Sequence, residues 1–366
     1  MNSMLIVRIK YSHIFGPSWV AMLEGCYTAI ITPMRSDGAI DSEGLRALVE
    51  YQSKNEVAGI VAVGTTGESP TLDWREHMRV IARVNEYSSG KMLVIAGTGA
   101  NSSAESLHGT LEAIDLGVST ILLVDPYYNG PSSVEIRREY YEPIVGKFPD
   151  ANFIPYIIPG RTGTMLLPQD LAILSEKYSN VVAVKEATGD IENMRAIRRL
   201  CRPDFCIVSG DDNKTLEMMT DQSINASGVI SVVSNILPGA VGAMVRAQLE
   251  NSTEKARRLE AELKPLIDIV TVKTEEETPY GKVVCKARNP LATKTLMNIL
   301  GMPSGPSRPP LGMMTKAGIT KVIESAKAVY TARPDLFEPI GDFFDVDAGE
   351  RLSGEKYLEG LYYESY

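Results

Sequence analysis

Histidine is scarce in this sequence, and the patterns that would let it bind zinc or serve a catalytic serine are missing. The 366 residues contain three histidines, His13, His77 and His108, which lie far apart along the chain. Neither H-E-x-x-H nor G-x-S-x-G occurs, and these patterns mark zinc proteases and many serine hydrolases. If the protein is an enzyme, we expect chemistry that does not depend on histidine.

Cysteine is also rare, and its spacing argues against zinc sites and redox motifs. The four cysteines are Cys26, Cys201, Cys206 and Cys285, and no two of them form a C-x-x-C sequence. Because histidine is too scarce to complete a zinc site, we expect no metal and mostly buried, reduced thiols. Reduced thiols are typical of the cytoplasm, which is the expected compartment.

Basic residues and long apolar runs are in short supply too. Lysine and arginine number 37 against 46 aspartates and glutamates, which gives a net charge of −9. Such an acidic protein is a poor partner for nucleic acid, although a local basic pocket for a small anion is compatible with this charge. No apolar run approaches the length of a membrane span, so we expect no membrane association.

The first 23 residues include Arg8 and Lys10 but no acidic residue. This composition is weakly typical of an organellar transit peptide. An extension ahead of a second start at Met22 explains it equally well. We expect residues 1–24 to form an N-terminal extension, and an organellar location is the alternative to the cytoplasm.

Eight β-rich runs recur along the chain. They cover 26–33, 59–64, 92–99, 120–126, 153–159, 181–188, 205–211 and 228–234. The segments between them carry apolar residues at three- and four-residue intervals, which predicts helices. Alternating strands and helices indicate parallel βαβ units, and eight of them predict a (β/α)8 TIM barrel. A doubly wound open sheet is the alternative, but its usual G-x-G-x-x-G after the first strand is replaced here by ITPMRSDG.

The predicted barrel occupies residues 25–245. A helical pattern continues over residues 246–330, which is too long for one crossover and predicts a C-terminal helical region. Residues 331–366 form an acidic, aromatic tail. A mobile tail is one interpretation, but its aromatic side chains favour partial packing.

Lys185 ends the sixth run, in VVAVKEATG (181–189). In a barrel the reactive groups lie at the carboxyl ends of the strands, and desolvation there lowers the pKa of a lysine. A neutral amine attacks carbonyl carbons and forms a Schiff base. A lysine that extends to the rim or pairs with Glu186 is the other interpretation, although successive strand residues point to opposite faces.

Three other strand ends carry hydroxyl, phenol or guanidinium groups. They read GTTGES (64–69), PYYNGP (126–131) and PYIIPGRTG (155–163). Hydroxyls and phenols can relay protons, and a guanidinium binds a carboxylate through two hydrogen bonds. A capped turn, a packed tyrosine pair and a surface arginine are the structural alternatives. Together with Lys185, this set suits carbonyl chemistry without a cofactor.

These motifs resemble the pyruvate-dependent class I aldolase and lyase superfamily, and within it the dihydrodipicolinate synthases. GTTGE, PYYN, Y-x-x-P-x-R-T-G and VVAVKEATGD occur in the right order at the right strand ends, and the resemblance extends from about Gly25 to Ile323. It implies a cofactor-free homotetramer that condenses pyruvate with aspartate 4-semialdehyde in lysine (diaminopimelate) biosynthesis. Two alternatives stay open: a Schiff-base aldolase acting on another 2-keto acid, and a non-catalytic barrel that senses a keto acid or lysine.

The resemblance implies four catalytic side chains. Lys185 would form the Schiff base with pyruvate, and Tyr156 would act beside it as general acid and base. Thr66 and Tyr128 would complete a proton relay, with Tyr128 reaching into the site of a neighbouring subunit.

The resemblance also implies how the substrates are held. Thr65 and Thr66 would bind the carboxylate of pyruvate, and Arg161 would bind that of aspartate semialdehyde. Gly210 and Ile230 would line the site through their backbone carbonyl groups.

A feedback site for lysine at a dimer interface is implied as well. Its matching positions are Ser69, Pro70, Trp74, His77, Asn101, Glu105 and Tyr127. Carboxylate, amide and phenol groups in this set can bind an ammonium and a carboxylate. Inhibition by lysine is therefore expected.

One position departs from the family pattern. The fifth strand usually reads Y-N-x-P, and here Ile157 replaces the asparagine. This exchange predicts a change in local hydrogen bonding or in the choice of the second substrate.

Overall fold

The structure is a computed structural model that describes residues 23–366. The predicted N-terminal extension, and with it the question of a transit peptide, lies outside these residues except for positions 23 and 24. Eight parallel strands close into a barrel in sequence order, which confirms the predicted fold. The strands are β1 Gly25–Ala29, β2 Gly59–Ala62, β3 Leu93–Gly97, β4 Thr120–Val124, β5 Asn152–Ile157, β6 Ala183–Glu186, β7 Cys206–Ser209 and β8 Gly228–Ser231.

Alternate residues of each strand face the barrel interior or the surrounding helices. Tyr27, Val61, Ile95, Leu122 and Ile154 belong to one buried cluster inside the barrel. The strand residues next to them belong to a larger buried cluster that includes the helices. Because both faces of the sheet are buried, the strands read as continuous apolar runs.

Helices cover the outside of the barrel. They are α1 Ser42–Lys54, α2 Trp74–Ser88, α3 Ser103–Asp115, α4 Ser133–Glu135, α5 Glu142–Val145, α6 Pro159–Thr162, α7 Pro168–Lys177, α8 Ile191–Leu200, α9 Thr215–Thr220 and α10 Pro238–Leu249. A π-helical segment, Ile136–Tyr141, joins α4 to α5. Side chains cap several of these helices: the Asp41 carboxylate, for example, accepts a hydrogen bond from the Gly44 amide at 2.9 Å.

The C-terminal helical region is confirmed, and it also contains a β-hairpin that was not predicted. Its helices are α11 Thr253–Asp268, α12 Leu291–Ile299 and α13 Lys316–Ala332. Between α11 and α12 the chain forms an antiparallel pair, β9 Thr271–Thr278 and β10 Gly281–Arg288. This hairpin reaches the mouth of the barrel, as described below.

The acidic, aromatic tail packs against the body of the protein. It forms α14 Glu338–Phe344 and α15 Ala348–Ser353, and the short strand β12 Tyr362–Tyr363 pairs with β11 Met314–Thr315. Phe337 is buried, and the rings of Phe343 and Phe344 lie 5.4 and 5.1 Å from that of Tyr51 in α1. The aromatic residues of the tail therefore extend the core.

Candidate active site

Lys185 and Tyr156 lie side by side at the carboxyl end of the barrel. They are direct partners in the register of β5 and β6, and the Lys185 Nζ atom lies 4.2 Å from the centre of the Tyr156 ring. Both side chains are buried. Desolvation lowers the pKa of Lys185 to about 8, with nearby Asp211 opposing the shift. A substantial fraction of this amine is therefore neutral near physiological pH.

Glu186, the next residue, does not pair with Lys185. Its side chain faces the helices, where its carboxylate accepts a hydrogen bond from the Asn193 amide at 2.9 Å. Adjacent residues of β6 thus point to opposite sides of the sheet. The lysine is left without a carboxylate within ion-pair distance among residues 23–366.

The Tyr156 phenol is held in its protonated form. Burial raises its pKa to about 12, and positive charge on Arg161 and a hydrogen bond with the Thr65 side chain oppose the shift. The Thr65 side chain therefore lies beside the phenol. Thr66, to which the resemblance gives the relay role, lines the same cavity as Tyr156 and Lys185.

Thr66 has a different neighbour. Its hydroxyl accepts a hydrogen bond from the side-chain amide of Asn289 at 3.0 Å. The backbone carbonyl of Asn289 in turn accepts a hydrogen bond from Arg161 Nη2 at 3.0 Å. Asn289, which directly follows β10, therefore links the GTTGES loop to the short helix α6, which carries Arg161.

Two neighbouring cavities open at this end of the barrel. The active-site cavity, of about 310 Å³, is lined by Lys185, Tyr156, Arg161 and Thr66, among others. The side cavity, of about 250 Å³, shares Tyr156 and Arg161 with it and includes Thr65 in its wall. Burial lowers the pKa of the Arg161 guanidinium, but an arginine remains charged in proteins. Lys185, Tyr156 and Arg161 therefore share one cavity.

Gly210 contributes to this cavity in the way that only glycine can. A Cβ atom at this position would lie 2.8 Å from the Ala187 Cβ and 3.2 Å from the Lys185 Cε. A side chain here would therefore clash with Ala187 and crowd the lysine. Ile230 is buried in the interior cluster beneath the cavity, and Val232, two residues later, lines its wall.

A family model and curated relatives match most of this chain. Residues 22–329 match the model of the dihydrodipicolinate synthetase family. The chain belongs to this family. It is 37% identical over 300 residues to a 4-hydroxy-tetrahydrodipicolinate synthase of Methanococcus maripaludis, covering 82% of this chain and 96% of the relative.

Two solved structures of family members superpose well on the chain. The 4-hydroxy-tetrahydrodipicolinate synthase of Methylacidiphilum fumariolicum SolV is 34% identical, with a TM-score of 0.78 over 87% of this chain and 99% of the other. The lysine-bound dihydrodipicolinate synthase of Cyanidioschyzon merolae is 32% identical, with a TM-score of 0.76 over 84% of this chain and 98% of the other.

Tyr128 lies outside its own active site. Its side chain is 92% exposed, and the residue adopts the left-handed backbone region with φ of 69°. A tyrosine rarely takes this conformation. It is not part of the wall of either cavity.

Ile157, where the family usually has asparagine, faces away from the chemistry. It is fully buried in the cluster between barrel and helices. Its neighbour Ile158 lines both cavities instead. Ile157 therefore lines neither cavity, and it cannot influence the choice of the second substrate by direct contact.

The residues matched to a lysine site lie around the side cavity and its neighbouring helices. Ser69, Pro70 and Tyr127 line the cavity. Asn101 accepts a hydrogen bond from the Tyr127 backbone amide at 2.9 Å, and Glu105 lies exposed in the first turn of α3.

The Trp74 ring stacks against His77, with ring centres 4.8 Å apart. The His77 Nε2 atom lies 2.6 Å from the Gly97 carbonyl oxygen, and burial lowers the pKa of this imidazole. His77 therefore serves as a neutral, packed residue beneath the other matched positions.

A buried ion pair beneath the GTTGES loop was not predicted from the sequence. Lys294 Nζ lies 2.5 Å from the Glu68 carboxylate, and both side chains are almost fully buried. Lys294 also donates to the Thr32 carbonyl oxygen at 3.2 Å. Glu68 and Lys294 are 226 positions apart in sequence, so no local sequence pattern predicts their contact.

Two further properties concern the described part of the chain as a whole. Residues 23–366 contain no group of three or more His, Cys, Asp or Glu side chains arranged to hold a metal ion. None of the helices within this range is long and apolar enough to cross a membrane.

Proposed function

We propose that this protein condenses pyruvate with L-aspartate 4-semialdehyde to form 4-hydroxy-tetrahydrodipicolinate. The observation that carries the proposal is the buried Lys185 amine, with its lowered pKa, beside the Tyr156 phenol in a cavity that also contains Arg161. The reaction is that of the relatives in the same family. Outside the covalent adduct on Lys185, the chemistry requires no cofactor.

In the first step the Lys185 amine attacks the keto carbon of pyruvate, and loss of water gives an imine. Removal of a proton from the methyl carbon gives an enamine, which attacks the aldehyde carbon of the second substrate. The amine of that substrate then displaces Lys185 as the ring closes. The overall reaction releases one water molecule and regenerates the free Lys185 amine.

Tyr156 is suited to move protons in these steps. With its pKa raised to about 12, the phenol carries its proton at neutral pH and can give it to the oxygen that leaves as water. We assign Thr65, which lies beside the phenol, to exchange protons with it, and Thr66, held by Asn289, to bind the pyruvate carboxylate.

The second substrate carries both a carboxylate and an ammonium group. Arg161 would bind the carboxylate of this substrate through its guanidinium group. Asp211 lines the same cavity, as does Asn289. The Asn289 Oδ1 atom is buried without a hydrogen-bond partner among the described residues, so both side chains can accept from the ammonium.

We also propose that the protein forms a homotetramer, built as a dimer of dimers. Tyr128 is almost fully exposed and adopts an uncommon backbone conformation. A neighbouring subunit would bury its ring and bring the phenol to the relay of the adjacent site. Strained residues of this kind concentrate at functional positions.

The cytoplasm is the proposed compartment. All four cysteines are free thiols, and three of them are buried. Burial raises the pKa of the Cys201 and Cys206 thiols, which makes them poor nucleophiles. Unreactive, unpaired thiols suit a reducing environment.

The test of the proposed function has two parts. Borohydride reduction in the presence of pyruvate should add the mass of a reduced pyruvyl group to the peptide that contains Lys185. Steady-state rates with aspartate semialdehyde should then exceed those with other aldehydes. An adduct without preference for this aldehyde would favour an aldolase with another substrate, and no adduct would favour a sensing barrel.

Exchange of Arg161 for alanine should impair use of the aldehyde but not of pyruvate. Removing one partner of a buried charge pair costs about 2–5 kcal/mol, so kcat/KM for the aldehyde should fall roughly 10²-fold or more. Pyruvate trapping on Lys185 should persist. Arg199→Ala, at an exposed position of α8, is the control. Loss of trapping together with turnover would instead identify Arg161 as a structural residue.

We also propose that lysine inhibits the enzyme by binding beside the side cavity. The C. merolae relative is known with lysine bound. Added L-lysine should lower the initial rate, and Glu105→Gln should raise the half-inhibiting concentration roughly tenfold, since charge-assisted hydrogen bonds contribute about 1.5–3 kcal/mol. Glu112→Gln on the same helix is the matched control. A wild-type rate that does not respond to lysine would refute the effector site.

A further inference from the structure

The hairpin of β9 and β10 contributes basic side chains to the active-site cavity. Lys273 of β9 and Lys286 and Arg288 of β10 line the same cavity as Lys185 and Arg161. Three hairpin cations therefore face the space in which the proposed condensation occurs. None of the catalytic or substrate-binding roles described above includes them.

The arrangement of charge along the hairpin is uneven. At its inner end Lys273 and Lys286 are direct cross-strand partners, and like charges placed opposite each other destabilise a sheet. Neither lysine has a carboxylate within ion-pair distance among residues 23–366. At the outer end, by contrast, Lys282 Nζ lies 2.8 Å from Glu275 and 3.5 Å from Glu277.

The cavity as a whole carries positive charge in an acidic protein. Its wall includes five basic side chains (Lys185, Arg161, Lys273, Lys286 and Arg288) against the two acidic side chains of Asp211 and Asp212. The Asp212 carboxylate already accepts a hydrogen bond from the Val232 backbone amide at 2.9 Å. A cleft of one sign with low-dielectric walls concentrates ions of the opposite sign.

Arg288 differs from the two lysines because it also has a structural contact. Its guanidinium donates to the Gly160 carbonyl oxygen at 3.1 Å, next to Arg161. The inner end of β10 is thereby fixed to helix α6, which carries the proposed carboxylate-binding arginine. Lys273 and Lys286, whose side chains are exposed, remain available to a ligand.

We propose that Lys273 and Lys286 form a carboxylate-binding subsite at the mouth of the active-site cavity. The subsite receives the anionic aldehyde and delivers its carboxylate to Arg161, so it determines preference for negatively charged second substrates. This inference rests on the proposed function for the identity of the aldehyde. An unpaired cross-strand pair of lysines costs stability by itself, and an anion between the two ammonium groups would relieve that repulsion.

The test is the double variant Lys273→Gln/Lys286→Gln. Its KM for aspartate semialdehyde should rise roughly tenfold while kcat changes little, because partly exposed charge pairs act mainly on encounter and retention of the ligand. Added salt should raise the wild-type KM for the aldehyde more than that of the variant. The double variant Lys273→Arg/Lys286→Arg should restore the wild-type KM.

Two controls separate this subsite from a structural role and from the proposed function itself. Lys282→Gln removes the same charge from the outer end of the hairpin and should leave the KM unchanged. Pyruvate trapping on Lys185 should be equal in wild type and variant. An unchanged KM in the double variant, or an equal rise with Lys282→Gln, would overturn the subsite.

The subsite can also be tested without turnover. Calorimetry with succinate semialdehyde, which carries the aldehyde and the carboxylate but no amine, should show weaker binding to the double variant than to wild type. If wild type failed to trap pyruvate, the proposed function would be wrong. The comparison of the two affinities for succinate semialdehyde would still show whether the subsite exists. Equal affinity of both proteins for this probe would refute it.

Discussion

Exchange of Lys185 for methionine is expected to abolish pyruvate trapping and to reduce condensation by roughly 10⁴-fold or more, the order of loss when a covalent nucleophile is removed. The side chain is buried and has no carboxylate partner at ion-pair distance in the described chain. Methionine can fill similar space without a buried charge, so the fold should persist. Mass spectrometry after borohydride reduction and steady-state assays measure the two losses, and circular dichroism checks the fold.

Wild-type trapping should also depend on pH in a way that identifies this lysine. The neutral amine is the reactive form, and the pKa of Lys185 is lowered to about 8. The initial trapping rate should therefore rise between pH 6 and 8 and level off above that range. A lysine with its ordinary pKa near 10.5 would show a rate still rising at pH 9. Lys282→Met, at the exposed outer end of the hairpin, should match wild type at every pH.

Exchange of Lys294 for methionine should be the most destabilising single change outside the catalytic residues. It leaves the Glu68 carboxylate buried without its partner, and breaking a buried pair in this way costs about 3–5 kcal/mol. Glu68 also accepts from the Arg308 backbone amide at 2.8 Å and belongs to the loop that carries Thr65 and Thr66. Chemical denaturation should therefore show a lower midpoint, and pyruvate trapping should weaken as the loop loses its anchor.

The double variant Glu68→Gln/Lys294→Met tests whether the unpaired, buried carboxylate of Glu68 causes the loss of stability. It removes both charges, so it should recover part of the stability that Lys294→Met alone loses. Lys264→Met, which removes an exposed partner of Asp268 on α11, should lower the free energy of unfolding by less than about 1 kcal/mol, because surface ion pairs contribute little. A single variant as stable as wild type would show that the pair is not required.

The barrel and the position of its chemistry could be predicted because both depend on local pattern. Each of the eight strands is buried on both faces and reads as an apolar run, and the intervening helices repeat at their own period. Lys185, Tyr156 and Arg161 follow from the rule that barrel strands present reactive groups at their carboxyl ends. The identity of the family rested on the order of those motifs.

The hairpin was missed although its sequence carries a signal. TVKTEEETPYGKVVCKAR alternates β-branched and charged residues around a Pro-Tyr-Gly turn, which is typical of paired strands. The long helical patterns on either side masked it. As a result Lys273 and Lys286, which only pairing brings side by side on one face of the hairpin, had no predicted role.

By itself the sequence determined the (β/α)8 barrel, the family and the chemical types in the site, because strand and helix periods and motif order are local properties. Only the tertiary structure decided that Ile157 faces the helices and that Asn289 joins Thr66 of the GTTGES loop to Arg161 of α6. It also brought Lys294 to Glu68 across 226 positions. These contacts depend on strand register and on long-range packing, in which a shift of one residue reverses the direction of a side chain.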